Sequence, residues 1–196
     1  MNLPDYFLAD LPPEAVLTSA MVGEACQALK RNRAQYLAAR STGNLIELLA
    51  GIGANWLHPD YEFRRHALER GPELLRFSRP TLERGLDAFF AELTADNLHA
   101  LVVQELGHGQ RLDGMAATAA ERAANRAAFA CGPELLAHIT AGNLPNAALL
   151  SIVLGLLARS AQFVKCAPGA SLLPRLFAHS IHETDPKIAA CLELAE

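Results

Sequence analysis

From about residue 18 to residue 106, apolar residues recur at intervals of three and four, and polar residues suited to helix N-termini break the pattern at the joints. This predicts four or five helices. Thr18 and Ser19 precede an amphipathic run through Tyr36. Ser41 and Thr42 precede Leu45 to Trp56, Ser78-Arg79-Pro80 opens a run through Phe89 and Phe90, and Thr94 and Asp96 precede Leu98 to Leu106. Side-chain oxygens at such positions accept from backbone N–H groups that a first helical turn leaves unpaired. The segment Trp56-Leu57-His58-Pro59-Asp60 predicts a helix end, because the residue before proline is pushed out of the helical region, and Asp60 is then placed to cap the next helix. Gly107-His108-Gly109 closes the series. The stretch from Gln110 to Cys131, rich in Ala and Arg with weak periodicity, predicts a connection carrying one surface helix and no core of its own.

After Gly132 the texture changes. Pro133 to Ile139 is a short apolar run, Pro145 to Arg159 a helical one, Ala161 to Lys165 a second short apolar run, and Ser171 to Thr184 a second helix. Two short buried strands joined by a helix are what a parallel crossover needs, so the expected class is α/β: an N-terminal helical region and connection over 1–131, then a βαβα unit over 132–196. Pro145 suits the first turn of its helix, where a missing N–H costs nothing. Asp185-Pro186 followed by Lys187 to Glu196 predicts a further helix. The sheet is expected to be incomplete at Glu196, with an open edge and an exposed apolar helix face that would lower solubility.

Composition narrows the functional classes. Seventeen Lys and Arg against 21 Asp and Glu give a net charge of -4, with the basic residues scattered, so no nucleic-acid footprint is present. The N-terminus, MNLPDYFLADLPPEAV, is acidic and proline-broken where a secretory signal is basic and apolar, which points to the cytoplasm. The longest apolar stretch, Ala147 to Ala158, is too short for a membrane span. Cys26, Cys131, Cys166 and Cys191 are widely separated and read as reduced thiols, mostly buried.

In an open parallel sheet a ligand binds where strands end and helices begin, which directs attention to Thr140-Ala141-Gly142-Asn143-Leu144-Pro145 and Lys165-Cys166-Ala167-Pro168-Gly169. Gly142 allows close backbone approach, Asn143 can donate and accept, and Lys165 offers a flexible cation to sugar hydroxyls or a phosphate. Such turn peptides are also common without a ligand, and no GxGxxG follows the first strand, so residue chemistry alone leaves a nucleotide pocket and a pair of ordinary turns equally open. Cys166 lies beside Lys165, but neighbours on a strand point to opposite faces, so it is not expected to be a nucleophile. His179 and His182 can share a helical face, yet no third ligand follows, so they are expected as surface histidines and no metal site is predicted.

The segment HITAGNLPNAALLSIVLGLLARSAQFVKCAPGASLLPRLFAHSIHETDPKIAACLELAE resembles the conserved block of LuxC-type acyl-CoA reductases, relatives of the aldehyde dehydrogenases. WLHPDYEFRRHALE, SRPTLERGLDAFFAELTADNLHALVVQELG and the LDG at Leu112 to Gly114 are similar in order and spacing to that family's N-terminal helical region. The resemblance implies a partial Rossmann-like sheet of the aldehyde dehydrogenase type. It also implies a reaction in which a long-chain fatty acyl group passes from coenzyme A to an enzyme cysteine and is reduced by NADPH, or by NADH, to the aldehyde. On this resemblance Asn143 matches the superfamily asparagine that stabilises the thiohemiacetal oxyanion. Lys165 matches the lysine that reaches the adenosine ribose or a phosphate on it, and Thr140, Ala141, Gly142, Asn143 and Pro168 line the cofactor. It further implies a homo-oligomer at full length and, in luminous bacteria, an acyl-protein synthetase and an acyl transferase as partners.

Two departures follow. Cys166-Ala167-Pro168 stands where a Pro or Ser commonly follows the lysine, which leaves ribose selectivity open. The family's nucleophilic cysteine and acid/base residue belong to segments beyond Glu196, and none of the four cysteines matches that position. The reading is therefore of the N-terminal part of a reductase, inactive alone. The alternatives are a catalytically inactive nucleotide-binding or assembly module, and another aldehyde dehydrogenase relative that takes an aldehyde or an acyl phosphate.

Overall fold

The computed structural model describes residues 3–12, 14–144 and 146–196, and only the backbone of Ala147. Five helices follow one another in the first half: α1 Ser19–Asn32, α2 Thr42–Leu57, α3 Glu62–Leu75, α4 Arg79–Glu92 and α5 Ala95–Leu106. Their starts are set by the residues the pattern singles out. The hydroxyls of Thr18, Ser41, Ser78 and Thr94 each accept from the backbone N–H three residues on, at Met21, Asn44, Thr81 and Asn97. α2 ends at Leu57, with His58 extended before Pro59, as expected. Asp60 does not cap α3: the cap position falls one residue later, on Tyr61, whose side chain makes no capping bond. α1 also stops short of Tyr36, giving way to a wider π-type turn over Arg33–Leu37. The connection carries one short helix, α6 Ala119–Ala123.

The second half is β1 Leu135–Ile139, α7 Ala147–Leu157, β2 Ala161–Lys165, α8 Leu172–Thr184, α9 Pro186–Ala189 and β3 Leu192–Ala195. The expected role of Pro145 in the first turn of α7 lies outside the described residues. The three strands form a parallel sheet in the order β1-β2-β3, with Leu135 opposite Ala161 and Gln162 opposite Leu192. The chain is thus mixed α/β, rich in helix, around a small parallel sheet. The expected final helix over 187–196 is a correction. Asp185 does cap a helix, accepting from Lys187 and Ile188 N–H, but that helix lasts four residues. Leu192 and Leu194 then take the two-residue spacing of a strand because pairing with β2 buries both. The expectation of two buried strands holds for β2 alone, since β1 is a half-exposed edge with Ile139 90% exposed.

The sheet is covered on both faces. Ala161 and Phe163 of β2 pack with Leu29 of α1 and with Ala195, while Val164 belongs to a larger core with Leu149, Ile152 and Leu156 of α7 and Leu173, Leu176 and Phe177 of α8. That core continues into the helical region through Trp56, Leu49, Leu86 and Phe90. Trp56 is fully buried, lies parallel to Phe90 with ring centroids 4.8 Å apart, and donates its indole N–H to Ser180 Oγ at 2.9 Å, which joins α2 to α8. A second tie runs through Asp113. Its carboxylate accepts from the Thr42 N–H at the start of α2 at 2.9 Å and from the Thr42 hydroxyl, and it also pairs with Arg159 just after α7.

The N-terminal segment is strapped across α8. Asp10 accepts from Arg175 Nε at 2.8 Å and from the Phe7 N–H, and its other contact is His179 Nε2 at 2.9 Å. Burial works to raise the Asp10 carboxyl, but the bonds and charges of His179 and Arg175 outweigh it and hold it below the usual value. A carboxylate with a depressed pKa stabilises the fold above its unfolded pKa, and that contribution is lost as pH falls through the folded value.

Two outcomes are expected. Asp10→Asn should lose about 1.5–3 kcal/mol at pH 7, the scale of hydrogen bonds to a charged group, and the gap to the parent should close as urea melts are taken from pH 5 toward pH 3. A gap independent of pH would show that the carboxylate charge is not what the strap uses. Gly155→Ala should also destabilise. A Cβ there falls 2.3 Å from the Gln162 amide carbon, which is fixed from behind by its donation to the Ile152 carbonyl at 3.0 Å. A loss of about 1–3 kcal/mol, typical of overpacking, is expected in thermal unfolding.

Candidate functional site

Parallel strands deliver their carboxyl ends to one edge, and the two predicted turns meet there. The Thr140 N–H donates to the Lys165 carbonyl at 3.0 Å, extending the β1–β2 ladder by one bond. Gly142 then passes so close to the second turn that a Cβ on it would lie 3.1 Å from the Ala167 Cβ. Thr140 is half-buried, whereas Ala141, Gly142, Asn143 and Leu144 are exposed, as is Pro168 on the facing turn. Ala141 to Leu144 and Pro168 are therefore accessible from solvent at this edge.

Lys165 is half-buried and its Nζ donates to the Cys166 carbonyl at 2.9 Å, which uses one of three ammonium donors. The start of α8 is engaged as well. The Glu196 carboxylate accepts from the Gly169 N–H at 2.5 Å and from the Ser171 hydroxyl. Gly169 has φ +72, a left-handed conformation that glycine adopts without strain, and this lets the turn present its N–H to that carboxylate.

Two of the four thiols, Cys166 and Cys191, are buried and poorly suited to attack. Burial raises Cys166 to about 11, with the Glu196 charge adding to the effect against the opposing charges of Lys165 and Arg175. Burial likewise pushes Cys191 up to about 12, helped by Asp185. The proximity of Lys165 to Cys166 in sequence thus yields no activated thiolate. The histidines need a correction: His179 is no surface residue but is buried against Asp10, and His182 is half-buried with its ring stacked on Tyr6 at 4.0 Å.

Other polar residues escaped the sequence reading. Gln162 is fully buried in the middle of β2, where its amide links the His138 ring on β1 at 2.9 Å to the Ile152 carbonyl on α7. A glutamine in an otherwise apolar strand run was the available signal. Asp10 left no such signal, since its partners lie 165 and 169 residues away.

A small parallel sheet with its first two strand-to-helix turns in contact at one edge defines a mixed α/β protein, and comparison supplies the family. The acyl-CoA reductase (LuxC) family profile matches residues 37–195, so the chain belongs to the LuxC family of acyl-CoA reductases. That match takes in the helices from α2 onward as well as the sheet. Among curated proteins no match is found. Among the described residues, no helix is long and apolar enough to cross a membrane.

Thiol labelling checks the electrostatics of this site. In the native protein at pH 7.5, iodoacetamide should modify the exposed Cys131 and leave Cys166 and Cys191 intact until urea is added, as read by peptide mass spectrometry. Rapid native labelling of Cys166 would make it a candidate nucleophile after all.

Proposed function

We propose that the chain is the N-terminal, cofactor-binding part of a reductase that converts a fatty acyl-CoA to its aldehyde, with the nicotinamide cofactor held across the two turns at the carboxyl edge of the sheet. The observation that carries this reading is their juxtaposition, with Gly142 against Ala167 and Thr140 bonded to Lys165, in a chain of the LuxC family. The residues fit such a group. Exposed Ala141 to Asn143 would line one side of the cofactor and exposed Pro168 the other, and a side chain at position 142 would press on Ala167 between them. Lys165 keeps two ammonium donors for ribose hydroxyls or a phosphate. Glu196 already takes the N–H of Gly169 and the hydroxyl of Ser171, so a ribose phosphate would be held by Lys165 rather than by the start of α8. NADPH is the proposed cofactor and NADH its competitor.

When bound, the nicotinamide would supply the hydride that reduces the acyl thioester. Asn143, exposed on its turn, would donate its amide N–H to the oxygen that gains charge in the transition state. The nucleophilic cysteine belongs, on this reading, to residues beyond Glu196. The same reading makes the sheet the first part of an aldehyde dehydrogenase-type Rossmann-like sheet, with 1–131 and 132–196 as its two units. It places the full-length protein in the cytoplasm as a homo-oligomer, served by an acyl-protein synthetase and an acyl transferase where light emission is the end. The burial and raised pKa of Cys166, the thiol nearest the two turns, favour a second reading for these 196 residues taken alone: binding without turnover.

Calorimetric titration with NADPH and NADH tests the reading. Saturable binding, weakened about tenfold or 1.4 kcal/mol by Lys165→Ala, is expected. A folded chain that binds neither nucleotide would overturn cofactor binding by this part. In a full-length enzyme, Asn143→Ala should lower kcat by about 10²–10³, as removal of one oxyanion donor does.

A further inference from the structure

Between α4, α5 and α7 runs an open groove of about 600 Å³, within the range of roughly 300–1,000 Å³ typical of small-molecule sites. Phe89 and Leu93 form one wall, Leu101 of α5 a second, and Leu150 and Val153 of α7 the third. Leu150 remains 51% exposed, so the groove is open to solvent along α7. The one ionisable residue lining this groove is Glu92, so neither a phosphate nor a carboxylate finds a partner there, whereas a hydrocarbon does.

The location matters as much as the lining. Asn146 lines the groove, and its Nδ2 donates to the Gly85 carbonyl of α4 at 2.6 Å, which fixes the start of α7 against α4. Asn146 is three residues after Asn143, so their Cα atoms lie within about 11 Å of each other even if the chain between them is fully extended. Other cavities have different chemistry. One of about 470 Å³ is lined by Asp10, Arg175 and Glu196, and one of about 270 Å³ by Asn32, His182 and Glu193.

We propose that the groove between α4, α5 and α7 holds the acyl chain of the thioester substrate, with the thioester end at the Asn143 turn and coenzyme A outside the groove. This rests on the reductase reading above and adds to it the subsite that measures chain length. Each methylene buried there improves affinity by up to about fourfold, so binding should strengthen steadily with chain length until the groove is filled.

Binding of butanoyl-, octanoyl- and tetradecanoyl-CoA to the purified chain tests this, with NADPH titrated in parallel. Leu101→Trp fills the groove. Leu150→Glu puts a charge in it from an exposed position that the core does not need. In both variants tetradecanoyl-CoA should bind at least tenfold more weakly, with butanoyl-CoA and NADPH unchanged. An unaltered dependence on chain length in both variants, with NADPH still bound, would overturn the groove and leave the reductase reading standing. The same unaltered dependence in a Leu150→Glu protein that has gone from dimer to monomer would assign the groove to a second copy of the chain and likewise overturn the proposal. A folded parent that binds neither NADPH nor any of the three thioesters would end the reductase reading and the groove with it.

Discussion

Strand β2 is the constraint around which the molecule is arranged. A parallel strand with a neighbour on each side has no face to give to water, so both of its faces need cover. One is covered by α7 and α8, which follow it or precede it closely in sequence. The other is covered by α1, from more than a hundred residues upstream. Gln162, the fully buried polar residue on the strand, is tolerated because its amide is bonded on both sides, to His138 and to the Ile152 carbonyl. Gly155 exists as a glycine where that amide passes.

The helical region is joined to this sheet by a few directional contacts rather than by apolar area alone. Trp56 reaches Ser180, Asp113 reaches Thr42 and Arg159, and Arg33 donates to the Arg159 carbonyl at 2.6 Å. The Leu112-Asp113-Gly114 segment, noticed as one of the marks of family resemblance, is thereby given a structural office: Asp113 ties the start of α2 to the end of α7. Arg159 adopts φ 55, a conformation uncommon for a side-chain-bearing residue, and its guanidinium bonds offset that cost.

What was legible in the sequence was what local chemistry decides. Four hydroxyl caps, the proline stop after Trp56, and the alternation of short apolar runs with helices all follow from neighbours within a few residues. What was not legible depended on distant partners. Leu192 to Ala195 became a strand because β2 was there to pair with. His179 became a buried residue because Asp10 crosses α8. β1 became an edge for want of a second neighbour among the described residues. In the candidate site, the two turns could be singled out from Gly142, Asn143 and Lys165, but their contact through Ala167, and the use of the α8 N-terminus by Glu196, required the folded chain. The groove lined by Phe89, Leu101 and Leu150 was hidden for the same reason, since its walls come from three separate helices.

The strap formed by the first described residues has a consequence for how the chain is made. The Leu8 N–H donates to Glu193 at 2.7 Å, and Asp10 bonds to Arg175 and His179. On a ribosome these early residues emerge long before their partners exist. Loops of this length close slowly and late. The α1 face of β2 must wait with them, so the newborn helices stand for a time as a layer without its sheet, and the earliest residues acquire their partners only when Arg175, His179 and Glu193 arrive.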